Sequence, residues 1–203
     1  EYYDDIIKRI PRSEIQHFDN VLRTSIPKQL VYEIVGSYRR GAADSGDIDV
    51  IISLNLEFLN DSDNEGLFKT KSVEQINNYF QNVFKQYLEY LHKQEVITEF
   101  LSLGNKKSLV IGKVPSYKTY RRIDFLYTPP EEYGFAVIFF TGSKAFNTAM
   151  RGYCLTLGLS LNEHGFTHVA TKKMVDASQL TDEKKIFEYL NIEYVEPNKR
   201  IDG

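Results

Sequence analysis

From Ser45 to Leu54 the chain reads Ser-Gly-Asp-Ile-Asp-Val-Ile-Ile-Ser-Leu, and this stretch limits the possible folds more than any other. Ile and Val favour a strand, whereas Asp is a poor strand former. Side chains on a strand alternate faces, so Asp47 and Asp49 point one way while Ile48, Val50 and Ile52 point the other, into a core. Two carboxylates side by side repel each other. A divalent cation removes that penalty, and hard oxygen ligands suit Mg²⁺. Taken alone, Asp-x-Asp reads equally well as a pair of solvated edge-strand aspartates.

The residues before it add a second element. A short apolar strand, Val31 to Val35, runs into Gly36-Ser37-Tyr38-Arg39-Arg40-Gly41. A helical turn starting at Gly36-Ser37 would aim backbone N–H groups and the positive end of its dipole at a phosphate. Arg39 and Arg40 follow at once, and guanidinium groups clamp phosphate oxygens through paired hydrogen bonds. An ordinary turn with surface arginines is the alternative. A third element is Arg121-Arg122-Ile123-Asp124-Phe125. As a strand, it puts Arg122, Asp124 and Leu126 on one face and Ile123 and Phe125 on the other. Asp124 would complete a site for two metals, which such sites hold roughly 3.5–4 Å apart. The competing reading pairs Asp124 with Arg121 or Arg122 and nothing more.

Helix and strand signals place these motifs. A capping-box pattern at Ser13 and Gln16, after Pro11, predicts a helix over residues 13–28. Residues 55–69 are polar and read as a loop. Ser72 and Gln75 repeat the capping box, and Val73, Ile76, Phe80, Val83, Phe84, Tyr87, Leu88 and Leu91 follow at helical spacing, predicting one long amphipathic helix on a sheet. Residues 96–103, 107–114 and 122–128 read as strands, and Pro129-Pro130 ends the last of them. Residues 135–140 and 143–157 read as helices, followed by two short strands and a last helix at about 182–190. The mixture predicts an α+β fold, a mixed or antiparallel sheet with helices on one face, then a smaller α+β subdomain after Pro130.

Of the 203 residues, 42% are hydrophobic, enough for one large domain or two small ones. A single cysteine, Cys154, excludes an internal disulfide and fits a reducing intracellular compartment. No apolar run reaches membrane-spanning length, and Glu1-Tyr2-Tyr3-Asp4-Asp5 does not read as a cleavable signal. The net charge of −3 argues mildly against nucleic-acid binding, but it is an average over a polarised chain. Glu57, Asp61, Asp63 and Glu65 share one loop, while Lys106, Lys107, Lys113, Lys118, Arg121 and Arg122 fall in a stretch with no acid. Considered alone, such a run reads as a solvated hairpin.

Gly-Ser-Tyr-Arg-Arg-Gly, Ser-Gly-Asp-Ile-Asp-Val, Arg-Arg-Ile-Asp and Phe-Phe-Thr-Gly-Ser together resemble the family X DNA polymerases, in particular the palm and thumb of DNA polymerase beta. The likeness runs from Lys8-Arg9-Ile10-Pro11-Arg12 to Tyr194-Val195-Glu196-Pro197. The Gly-Ser and Asp-x-Asp core marks only the wider nucleotidyltransferase superfamily; Phe-Thr-Gly-Ser and Arg-Arg-Ile-Asp narrow it. The resemblance implies a nucleotidyltransferase palm over residues 1–130 and a thumb over 131–203. It implies that Asp47, Asp49 and Asp124 bind two Mg²⁺ ions, with Mn²⁺ able to substitute, and that Asp124 helps activate a primer 3′-hydroxyl. Ser37, Arg40, Ser45 and Gly46 would hold the triphosphate of a dNTP, with Arg9 nearby. Phe139, Phe140, Thr141 and Gly142 would line the sugar, Lys144 would lie near the incoming base, and Asn147 would reach the base's minor-groove edge. Arg151, positioned by Glu163, would reach the template base, Arg122 the primer backbone, and Lys106 and Lys107 the DNA.

The implied activity is gap-filling, template-directed DNA synthesis in DNA repair, base excision repair included, on primer-template or gapped DNA, by a monomer with no membrane attachment. The implied location is nuclear, or cytoplasmic or virion-associated for a viral protein. A template-independent terminal transferase and a non-catalytic DNA-end-binding module remain as alternatives. Four departures matter. The family's amino-terminal lyase and helix-hairpin-helix elements do not occur in these residues. Phe139 stands where polymerase beta carries Tyr, Lys144 replaces an acidic residue, and Leu126 replaces an Arg.

Overall fold

The structure is a computed structural model and describes residues 1–201. The chain divides into two compact units. The first comprises residues 1–34 and 43–129, the second residues 35–42 and everything from Pro130 onward. Among the described residues no helix is long and apolar enough to cross a membrane.

The first unit opens with a short helix, α1 (Tyr3–Ile6), a two-residue strand, β1 (Ile10–Pro11), and helix α2 (Arg12–Ser25). The Ser13 capping box does not form: Pro11 is the N-cap, and no side chain caps the helix. The helix also stops three residues short of the expected end. Pro27 forces the residue before it out of helical geometry, and Ile26 is extended at ψ 133°. Strand β2 (Leu30–Ile34) follows. The chain then contributes one helical turn, α3 (Gly36–Arg39), to the second unit and returns as β3 (Asp44–Ser45), which pairs with β1, and β4 (Ile48–Leu54).

Residues 55–69 are not a plain loop. Asn55 caps a short helix, α4 (Leu56–Asn60), through a hydrogen bond from the Glu57 N–H, and α5 (Glu65–Phe68) follows. Both form because each buries one aromatic: Phe58 and Phe68 pack on Phe80 of the long helix α6 (Val73–Lys93). Each such burial is worth about 2–3 kcal/mol, enough to order a polar segment. The Ser72–Gln75 capping box does form, in both directions. Phe80, Phe84, Tyr87, Leu88 and Leu91 make the buried stripe of α6, whereas Val73 lies outside it, exposed in the first turn.

Strands β5 (Ile97–Leu103), β6 (Lys107–Gly112) and β7 (Arg121–Tyr127) complete a five-stranded mixed sheet in the order β2-β4-β7-β6-β5. Only β4 and β7 run parallel, and their register places Asp49 opposite Asp124. Burial alternates strictly along β7, with Ile123, Phe125 and Tyr127 inside. Arg121 shares their face and is buried too, so it does not belong to the basic surface expected of residues 106–122. Its guanidinium grips Glu14 of α2 with two bonds, Nε to Oε2 at 2.8 Å and Nη2 to Oε1 at 2.9 Å, and donates through Nη1 to the Lys8 and Arg9 carbonyls.

The second unit packs α7 (Pro130–Thr141), α8 (Lys144–Thr156), the hairpin β8 (Leu159–Asn162) and β9 (Gly165–His168), and α9 (Glu183–Tyr189) around one core. The core includes Phe135, Ile138, Met150, Cys154, Phe166, Ile186 and Phe187. The proline pair both ends β7 and opens α7, with Pro130 as its first residue, where a missing N–H is harmless. Gly134 lets α7 and α9 touch: a Cβ there would lie 2.9 Å from the Asp182 backbone. Ser143 caps α8, accepting from the Phe146 N–H at 3.2 Å.

Candidate functional site

Ligand oxygens of Asp47, Asp49 and Asp124 lie within 4.8 Å of one another. The cause is local and simple. Asp49 and Asp124 are paired across two parallel strands and leave the same face of the sheet, and Asp47, in the bend just before β4, brings its carboxylate to theirs. Ile51 and Ser53, further along that face of β4, are buried, so the acids sit where the strand emerges.

Their charges are in conflict. Burial first, then the Asp47 and Asp124 charges, push Asp49 up to about 7, with Lys107 pulling the other way. Asp47 is exposed as a residue, but its carboxyl faces the cluster. Burial and the Asp124 charge raise it; Arg122, a hydrogen bond from Asp49 and the Arg9 charge oppose the rise. A site that holds a proton near neutrality to relieve carboxylate repulsion can hold a divalent cation in its place. Three carboxylates are the ligand chemistry such a cation prefers.

The surroundings are basic. Arg122 Nη2 donates to Asp124 Oδ1 at 3.0 Å. Lys106 and Lys107 are exposed on the neighbouring hairpin. Arg9 donates from Nε to Asp44 Oδ1 at 2.9 Å and lies over the turn that carries Ser45 and Gly46; a Cβ on Gly46 would sit 3.2 Å from Arg9 Nη1. Ser45 is buried. Asp44, which holds Arg9, drew no notice in the sequence because it sits in a polar turn.

The second unit gathers motifs a hundred residues apart. Gly36 opens α3 at φ 69°, a conformation that favours glycine, and Ser37 and Arg40 belong to that turn. Arg40 Nη1 donates to the Thr141 carbonyl at 2.6 Å, and a Cβ on Gly142 would lie 3.2 Å from it. Arg39 is drawn inward, with its side chain only 15% exposed. It donates to the Thr141 hydroxyl at 3.0 Å and forms an ion pair with Glu183, which also pairs with Arg200. Burial would raise Glu183, but hydrogen bonds from Arg39 and Arg200 outweigh it and hold the carboxyl below its ordinary value. Glu183 and Arg200 were invisible in the sequence: both lie in charged, surface-like runs.

Phe139 and Phe140 are half-buried and meet edge to face, with centroids 5.0 Å apart. Lys144 is exposed at the start of α8. Asn147 donates from Nδ2 to the Phe139 carbonyl at 2.8 Å, while its Oδ1 is buried without a partner. Arg151 is exposed one turn later. Glu163, in the β8–β9 turn, has its carboxylate 3.6 Å from His164 Nε2 and makes no hydrogen bond or ion pair to Arg151.

Comparison with known proteins matches residues 9–130 to the family model of the DNA polymerase beta palm and residues 136–201 to that of the DNA polymerase beta thumb. The chain is 28% identical to DNA polymerase lambda of Rattus norvegicus over 98% of its own length and 34% of that protein. It is 29% identical to DNA polymerase lambda of Arabidopsis thaliana over 98% of its length and 38% of that protein. It is 22% identical to DNA nucleotidylexotransferase of Xenopus laevis over 98% of its length and 42% of that protein. The chain thus spans well under half the length of these relatives.

Proposed function

The chain belongs to the family X DNA polymerases, and from that premise we propose that it is the catalytic part of a template-directed, gap-filling DNA polymerase that adds dNTPs to a primer 3′-OH and releases pyrophosphate. The observation that carries the reading is the cluster of Asp47, Asp49 and Asp124, built by the register of two parallel strands. Three converging acids have no use in a module that only binds DNA.

In this reading Asp47, Asp49 and Asp124 hold two Mg²⁺ ions. Bound there, the metal would neutralise charge on the attacking and leaving oxygens of an in-line displacement. Asp124 accepts a share of the 3′-hydroxyl proton, and Arg122 keeps its carboxylate oriented. Arg9, Ser45, Gly46, Ser37 and Arg40 hold triphosphate oxygens with fixed donors. The turn from Phe139 to Gly142 lines the sugar, Asn147 and Arg151 test the shape of the nascent pair, and Lys106 and Lys107 meet the DNA backbone. Correct base pairs offer acceptors at the same minor-groove positions, so contacts there report pair geometry rather than base identity.

Incubation with Mg²⁺, all four dNTPs and a one-nucleotide gap tests this, with Asp124→Ala beside the wild type. Insertion should follow the template base and vanish in the variant, whose fold survives because removing one of three clustered acids relieves repulsion. Near-normal extension by Asp124→Ala would sink the metal assignment. The similarity to a nucleotidylexotransferase supports a second reading, template-independent addition. Equal addition to single-stranded ends would establish that reading instead.

A further inference from the structure

Glu14 and Arg121 form an ion pair inside the first unit, where both are buried. Stability alone is a weak reason for such a pair, since apolar side chains of similar volume do as well. Its remaining hydrogen bonds show what else it holds. The Glu14 carboxylate takes Nε and Nη2 of Arg121. Nη1 is left over, and it donates at 3.2 Å to both the Lys8 and the Arg9 carbonyls. Arg121 thus ties the backbone that enters β1 to the first residue of β7, the strand that carries Asp124. The Tyr120 N–H adds a second tie, donating to the Asp5 carboxylate at 3.1 Å.

Strand β1 passes this restraint on. Ile10 pairs with Ser45 and Pro11 with Asp44, and the Arg12 N–H donates to the Ala43 carbonyl at 2.9 Å. Ile10 and Ser45 are both buried, and Gly46 and Asp47 follow directly. The Arg9 side chain is held at its far end as well. Its Nε donates to Asp44 Oδ1 at 2.9 Å and its Nη2 to the Asp44 carbonyl at 3.3 Å. Both of these side chains are more than half exposed, so their ion pair has little strength of its own in water. Its geometry rests on the buried anchor behind it. Nη1 of Arg9 then lies beside Gly46, 3.2 Å from where a Cβ would be.

We propose that Glu14, Arg121 and Asp44 are positioning residues: the buried pair anchors the backbone at Arg9, Asp44 orients its guanidinium, and together they aim Arg9 and the Ser45–Gly46 turn at triphosphate oxygens. The anchor is a property of the first unit alone; the ligand rests on the polymerase reading above. Glu14→Leu combined with Arg121→Met keeps the core packed with apolar groups and takes the donor away from the Lys8 and Arg9 carbonyls. Arg121→Lys keeps the charge beside Glu14 and loses the planar fork, so it stands in if the double variant does not fold. For Asp44 the comparison is Asp44→Ala against Asp44→Asn. Both remove a charge that repels phosphate, and only Asn keeps an acceptor for Nε.

Two measurements separate anchor from ligand. The first is amide hydrogen exchange at Arg12 without nucleotide. It should speed up by at least about tenfold in the anchor variants while Val50 and Phe125 in the sheet keep their protection. The second is dNTP binding with Mg²⁺ and no DNA, together with steady-state gap filling. Kd and KM should rise about tenfold in the anchor variants, comparable to loosening one charged hydrogen bond, with kcat changed far less. Asp44→Ala should bind dNTP about threefold more weakly than Asp44→Asn. Unchanged Arg12 exchange overturns the anchor. Faster exchange with unchanged Kd and KM overturns its role toward phosphate, and equal Kd for the two Asp44 variants overturns the role of Asp44. Faster exchange in variants of a chain whose wild type neither binds nor inserts dNTP leaves the anchor standing and removes the polymerase reading.

Discussion

Replacing Asp49 by Asn removes one negative charge from the acid cluster while keeping a donor to Asp47. Its effect on the metal-free protein follows from the structure. The Asp49 carboxyl, ordinarily at 3.8, is pushed up to about 7 by burial and by its two acidic neighbours. The folded chain therefore binds the proton more tightly than the unfolded chain. Stability is greatest below the unfolded value and falls as pH rises from about 4 to about 7, then stays level. Taken whole, the gap would be worth about 4 kcal/mol. The carboxyl is partly solvated and shares its repulsion with two others, which brings the figure to about 1–2 kcal/mol. Asp49→Asn should therefore be more stable than wild type at pH 8 in EDTA, by about 2–6 °C in thermal unfolding. The difference should vanish near pH 4. Mg²⁺ should then reverse the order, since a ligand at ten times its Kd stabilises the folded chain by about 1.4 kcal/mol and the variant has lost a ligand atom. A variant less stable than wild type in EDTA at pH 8 would refute the account, because the three carboxylates would then not be in electrostatic conflict.

Glu14→Gln leaves Arg121 buried without its counter-charge, and chemical denaturation should show a loss of about 3–5 kcal/mol, against little change for a surface acid such as Glu74→Gln. Arg151→Ala should lower templated insertion on gapped DNA severely while dNTP binding, measured by titration without DNA, stays within about twofold, since the exposed guanidinium contributes nothing to the folded core. Cys154 is fully buried and its thiol is pushed up to about 11, so a thiol-reactive dye should label it only as the second unit unfolds, and native-state labelling within minutes would contradict its place in the core.

Local sequence was enough wherever one element carries its own signal. The long helix announces itself by a capping box and an apolar stripe of period 3.6. The strands carrying Asp49 and Asp124 show themselves by alternation, so the outward face of those two acids could be assigned residue by residue, whereas Asp47 sits in the bend just before its strand. Whether Asp49 and Asp124 meet is different in kind, because strand pairing and register depend on contacts across 75 residues, and only the folded sheet sets them side by side. The same limit explains what was misread. Residues 55–69 look like a loop until Phe58 and Phe68 find Phe80. Arg121 looks like part of a basic surface until Glu14 arrives from a helix a hundred residues earlier. Arg39, Glu183 and Arg200 look like three solvated charges, because charge and length are local properties, whereas burial belongs to the neighbours that surround a side chain once the chain has closed around it.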